Sequence, residues 1–143
     1  MEGNRSDQGH DPFIRKTYAE ALSLAQRAYG CLSLSRHRSS ALPLAETDRL
    51  MYTAEIMRLS TKIMYALSWL MSRRAVEAGD LKPEDALADA RRLGQCPAPG
   101  AAARIDPDIF PRAVRDLHGD ADRLYQRVAR LEADLLTQAR RTG

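Results

Sequence analysis

Ile63-Met64-Tyr65-Ala66-Leu67-Ser68-Trp69-Leu70-Met71 is the densest apolar run of the sequence, and it lies within a longer segment, Leu44 to Ala78, that contains neither proline nor glycine. Such a segment reads as one helix, roughly 50 Å long at about 1.5 Å per residue. Two apolar stripes run along it in alternating steps of four and three. One holds Leu50, Ala54, Met57, Thr61, Met64, Ser68, Met71, Ala75 and Ala78; the other holds Tyr52, Ile56, Leu59, Ile63, Ala66 and Leu70. The stripes are offset by two residues, and at about 100° per residue they fall on nearly opposite sides of the helix. A helix apolar on two sides must be covered on both. One cover comes from the chain's own helices, and the other is expected from a second copy or a partner.

Upstream, Pro43 precedes this helix, and Glu46 and Asp48 set negative charge at the positive end of its dipole. Further back, Asp11 is a good N-cap and Pro12 a good first residue for another helix, reaching about Ser35. Its apolar positions are Ile14, Tyr18, Ala21, Ala25, Ala28 and Leu32, and Gly30 weakens its last turns by up to about 1 kcal/mol. The polar stretch Met1 to Asp11 is expected to be a flexible tail, which leaves residues 12–140 as a single helical-bundle domain. Between the two helices, Ser35-Arg36-His37-Arg38-Ser39-Ser40 reads as an exposed basic loop, either an anion contact or a plain solvated turn.

Downstream, Gly79-Asp80 is a terminating signal. Lys82-Pro83-Glu84-Asp85 opens a short helix holding Ala86, Leu87, Ala90 and Leu93, ended by Gly94. Gln95 to Asp106, rich in Pro, Gly and Ala, is a loop. The last helix opens at Asp106-Pro107 or at Phe110-Pro111. It carries Val114, Leu117, Ala121, Leu124, Val128, Leu131 and Leu135 in unbroken four-three alternation across Gly119. That repeat predicts a long helix packed almost antiparallel to its neighbours at about 20°. No strand pattern or internal repeat is present. The predicted fold is all-α: an antiparallel bundle of three long helices plus one short one, completed as a homodimer.

With 143 residues, 44% hydrophobic and 29% charged, the chain suits one globular domain with a real core. The net charge is +3, and only three of the 22 basic residues are lysines, a compositional skew rather than a clustered basic face. Cys31 and Cys96 lie far apart and fit no Cys-x-x-Cys pattern, which points to a reducing, cytoplasmic setting. The longest strongly apolar run, Ile63 to Met71, falls well short of the about 20 residues that span a bilayer.

Motifs for phosphate loops, nucleophile elbows and dinucleotide sites are absent from the sequence. His10, His37 and His118 fall in the tail, a loop and the last helix, read as solvated, and none follows a Glu by three residues as in carboxylate-bridged metal sites. No metal, no cofactor and no catalytic residue is therefore expected. Met57, Met64 and Met71 read as core filling, whereas Met51 falls off both stripes and is the better exposed contact. Trp69 shares a helical column with Asp48, Glu55 and Lys62. Either it closes an edge of the core or it anchors an interface. Glu55, Arg58 and Lys62 are spaced to pair along the helix, for only about 0.3–0.5 kcal/mol per exposed pair.

Tyr52-Thr53-Ala54-Glu55-Ile56-Met57-Arg58-Leu59-Ser60-Thr61-Lys62-Ile63-Met64, followed by Ser68-Trp69-Leu70-Met71-Ser72-Arg73-Arg74-Ala75, resembles the RcdA-like family, the regulators of CtrA degradation of alphaproteobacteria. Leu124-Tyr125-Gln126-Arg127-Val128-Ala129-Arg130-Leu131 matches that family's closing pattern, so the resemblance covers about Tyr18 to Leu135. It implies a dimeric helical adaptor without catalytic activity. Such adaptors help deliver cell-cycle regulators to the ClpXP protease, in the cytoplasm and transiently at a cell pole. Carried over residue by residue, the resemblance places partner binding at Glu55, Arg58, Trp69, Arg74, Tyr125, Arg127 and Arg130, some of which can instead tie helices together. Some relatives have a longer C-terminal tail, whereas this sequence ends at Thr142-Gly143.

Two other classes compete. A DNA-binding regulator would use the loop arginines with Arg127, Arg130, Arg140 and Arg141, and its binding would weaken steeply with salt. A small bundle enzyme or cofactor carrier would need inward polar ligands that neither stripe supplies.

Overall fold

Periodicity of the apolar residues translates, among the described residues, into four helices: α1 Pro12–Leu32, α2 Glu46–Ala78, α3 Pro83–Ala86 and α4 Arg112–Thr142, with a 3-10 turn at Asp89–Arg91. The structure is a computed structural model, and it describes residues 12–32, 45–93 and 110–142. The expected tail 1–11, the basic loop 35–40, Pro43, Gly94 and the loop 95–106 with Cys96 lie outside the described residues, as does the Cys31 side chain. The expected all-α bundle, three long helices and one short, is what the chain forms.

Helix α2 starts with no side-chain cap on Ala45, so the carboxylates of Glu46 and Asp48 are left to favour the helix start. It stops at Gly79, whose φ of 83° only a residue without Cβ adopts freely. There the Gly79 N–H donates to Val76 O at 3.1 Å and the Asp80 N–H to Ala75 O at 2.9 Å, satisfying carbonyls the helix leaves orphaned. The short helix is smaller than expected. It ends at Ala86, and Ala88 turns extended before the 3-10 turn. So few residues cannot sustain a helix alone. Buried Ala86 and Leu93 hold the segment instead, with the Leu93 N–H donating to Glu132 Oε2 at 2.8 Å and the Tyr125 hydroxyl donating to Leu93 O at 3.2 Å.

Pairs across the seams give the directions of the helices. Arg74 of α2 lies over the ring of Tyr18 of α1, 4.6 Å from its centre. Arg27 and Glu20 of α1 pair with Asp120 and Arg127 of α4. Between α1 and α4 numbers rise on one helix as they fall on the other, so these two are antiparallel. Between α2 and α4 they rise together: Tyr52 stacks on Phe110, Glu55 meets His118, and Lys62 meets Asp122. The nearly antiparallel packing expected of the last helix therefore holds against α1, while α4 runs parallel to α2.

The core is the stripe Tyr52, Ile56, Leu59, Ile63, Ala66 and Leu70, packed with Trp69, with Ile14, Ala21, Leu24 and Ala28 of α1, and with the Val114 to Val128 stripe of α4. Leu131 and Leu135 are only partly buried. Ala21, Ala66 and Ala121, one from each long helix, are fully buried in the core. Buried Thr17 satisfies its hydroxyl by donating to Phe13 O at 2.8 Å. Gly30 stands in open space, since an added Cβ would meet nothing within 4 Å. Gly30→Ala is expected to raise stability by up to about 1 kcal/mol, a few degrees in thermal midpoint, read by calorimetry.

Candidate partner-binding surface

The other α2 stripe stays uncovered. Leu50, Met57, Met64 and Met71 are 67%, 64%, 61% and 54% exposed. Seven-residue spacing moves each only about 20° around the helix from the last, so they form a nearly straight row. This corrects the expectation that Met57, Met64 and Met71 fill the core; Met51, expected at the surface, is exposed as well. A three-helix bundle has partners for one side of α2 only. The hydroxyls beside the row do not wet it much. Thr61 Oγ1 donates to Met57 O at 2.9 Å and Thr53 Oγ1 to Arg49 O at 2.9 Å, each closing on its own helix. Leu22 and Tyr29 of α1, both exposed, fall by spacing on the same side of α1 as Tyr18, which Arg74 of α2 covers.

The residues assigned to partner binding are not brought together. Glu55 and Arg58 lie on the α2–α4 seam, where Arg58 Nη1 donates to Glu55 Oε1 at 2.6 Å. Glu55 Oε2 lies 3.7 Å from His118 Nε2, and His118 Nδ1 lies 3.6 Å from Asp122 Oδ2. Lys62 leaves its own helix to donate to Asp122 Oδ1 at 2.6 Å. His118, expected in solvent, is buried between two carboxylates. Trp69 is 3% exposed and belongs to the core, so it closes the interior and presents no anchor to a partner. Arg74 clasps Tyr18, and Tyr125 pins Leu93. Arg127 binds Glu20 of α1, and Arg130 is exposed. Most of these side chains tie helices to one another.

On the α1–α4 seam, Arg27 Nη1 donates to Asp120 Oδ2 at 2.9 Å while Arg123 donates to Asp120 Oδ1. The hydrogen bond from Arg27, aided by Arg123 and opposed by slight burial, holds the Asp120 carboxyl below its ordinary range. Among the described residues no group of three or more His, Cys, Asp or Glu is placed to hold a metal ion, and no helix is long and apolar enough to cross a membrane. The sequence did carry one signal for the uncovered row. Thr61 and Ser68 interrupt that stripe, whereas the buried stripe contains no small polar residue.

With this geometry in hand, comparison with known proteins places the chain. The crystal structure of RcdA from Caulobacter crescentus CB15 superposes with a TM-score of 0.71 at 28% sequence identity, covering 90% of this chain and 95% of that one. No curated protein matches. The family model described as protein of unknown function (DUF1465) matches residues 6–142. The likeness to RcdA read from the central and last helices is thereby borne out, and the chain belongs to the DUF1465 family.

Proposed function

We propose that this protein is a non-catalytic adaptor that works as a homodimer joined across the outer row of α2 and helps deliver cell-cycle regulators to the ClpXP protease. The observation that carries the reading is the row itself: four large apolar side chains in line along a 33-residue helix. A lone exposed Leu needs no explanation, but an aligned set marks an interaction face. A second copy suits it because a straight, uncharged row of Leu and Met is self-complementary about a twofold axis. Kinship with RcdA supports the regulatory setting, in the cytoplasm and transiently at a cell pole. An adaptor makes and breaks no covalent bond. It raises the effective concentration of one partner near another, which needs a rigid surface rather than reactive groups.

Met64→Asp is expected to leave the far-UV circular dichroism unchanged, since Met64 is outside the core, and to convert dimer to monomer in sedimentation velocity. Losing roughly 1.5–3 kcal/mol of side-chain burial on each copy weakens association at least about a hundredfold. A variant that still sediments as a dimer would remove α2 as the seam. In a reconstituted ClpXP reaction, the unaltered protein should speed degradation of a cell-cycle regulator and the variant should not. No acceleration by the unaltered protein would end the adaptor reading.

A further inference from the structure

The α1–α4 seam opens into a cleft of about 280 Å³, floored by Leu24 and Leu124 and walled by Arg27, Arg123, Arg127, Glu20 and Asp120. Three guanidiniums face two carboxylates, so the walls carry one net positive charge. We infer that this cleft docks an acidic side chain of a protein partner, its carboxylate taken by Arg27 and Arg123 above Asp120. The inference rests on the adaptor reading for what it names, the charge class of the delivered segment.

Asp120 accepts from both Arg27 and Arg123, and so holds the two forks side by side. Each guanidinium carries five N–H donors and spends one nitrogen on Asp120 in these bonds, which leaves donors for a second carboxylate. The bundle does not depend on these pairs. Arg27, Arg123 and Asp120 are all solvent-accessible, and exposed pairs of this kind stabilise by only about 0–1 kcal/mol. Arginines that the fold can spare are available for recognition.

Size and sign narrow the ligand. The volume suits one or two side chains, smaller than most cofactor pockets of about 300–1,000 Å³. A duplex needs a continuous cationic stripe, and here Glu20 and Asp120 stand in the walls and would repel successive phosphates. A single carboxylate, by contrast, needs only Arg27 and Arg123, whose two positive charges outweigh the one negative charge of the Asp120 they share. Placement also fits. Because α2 packs across α1 and α4, its outer row and the α1–α4 seam lie on opposite sides of the bundle, so a dimer would leave two clefts open.

The test is fluorescence anisotropy of a labelled short peptide of Asp and Ala, titrated with the full chain, beside the same peptide with Asn for Asp. The Asp peptide is expected to bind saturably, and the double variant R27Q/R123Q to bind it about tenfold more weakly or worse. R112Q, far along α4 and paired only distantly with Asp116, is expected to bind as the unaltered chain does. Should the double variant lose helicity, R123Q alone, whose side chain is largely exposed, should still weaken binding several-fold. No saturable binding, equal binding of the Asn peptide, equal binding by R27Q/R123Q, or tighter binding of a labelled DNA duplex would each overturn the inference. Sedimentation of the same samples separates the two readings. A monomer that binds the peptide would sink the α2 seam and leave the cleft, and a dimer that ignores it would do the reverse.

Discussion

Leu70→Ala is expected to lower the unfolding free energy by about 2–5 kcal/mol, and Met71→Ala, one residue on, to leave that of the single chain within about 0.5 kcal/mol. Leu70 is fully buried at the meeting of the three long helices, where truncation forfeits transfer energy and leaves a cavity that packed neighbours cannot collapse. Met71 points away from that core and is mostly in solvent. Urea denaturation at two protein concentrations reads both quantities. The Leu70 loss should be present at both concentrations. The Met71 effect should appear only where the chain is associated, because only there is its side chain covered. Equal losses for the two variants would overturn the assignment of buried and outer faces.

Phe110→Ala is expected to cost about 3–5 kcal/mol. Phe110 is 2% exposed and lies just before α4, with its ring centre 5.1 Å from that of Tyr52 and the planes 21° apart. It does two things at once. The ring is buried in the core, and its anchorage sets where the helix begins after Pro111, the Pro111 carbonyl accepting from the N–H groups of Val114 and Arg115. Paired with Tyr52→Ala in a double-mutant cycle, it should show a coupling of about 0.5–1.5 kcal/mol beyond simple burial. A loss under about 1 kcal/mol would mean that α4 docks without this contact.

Much of the bundle was legible from periodicity, because a residue's side of a helix follows from arithmetic at 100° per step. Ile56, Leu59 and Ile63 on α2, and Val114, Leu117 and Leu124 on α4, are buried as their spacing predicts. Gly79 ends its helix for the local reason that it alone tolerates a left-handed backbone there. The candidate sites were harder to read. Glu55, Arg58 and Lys62 satisfy a same-helix pairing rule, yet Lys62 crosses to Asp122, and Glu55 is shared between Arg58 and His118. His118 falls beside the apolar stripe of α4, and only the approach of α2 encloses it. Trp69 stands in a polar column, but its ring is large enough to reach the core from that edge. Arg127 reads as a surface charge until Glu20, more than a hundred positions earlier in the chain, is set opposite.

From its sequence alone, this protein is a set of helices with stated ends and stated apolar sides, since those depend on backbone propensity and on spacing within one element. Tertiary structure alone decided which of the two greasy sides of α2 is sheltered, that α4 lies parallel to α2, and which charges meet across seams. Three helices can surround only one side of the middle one, and contacts between distant elements are a property of their assembly that no local spacing encodes.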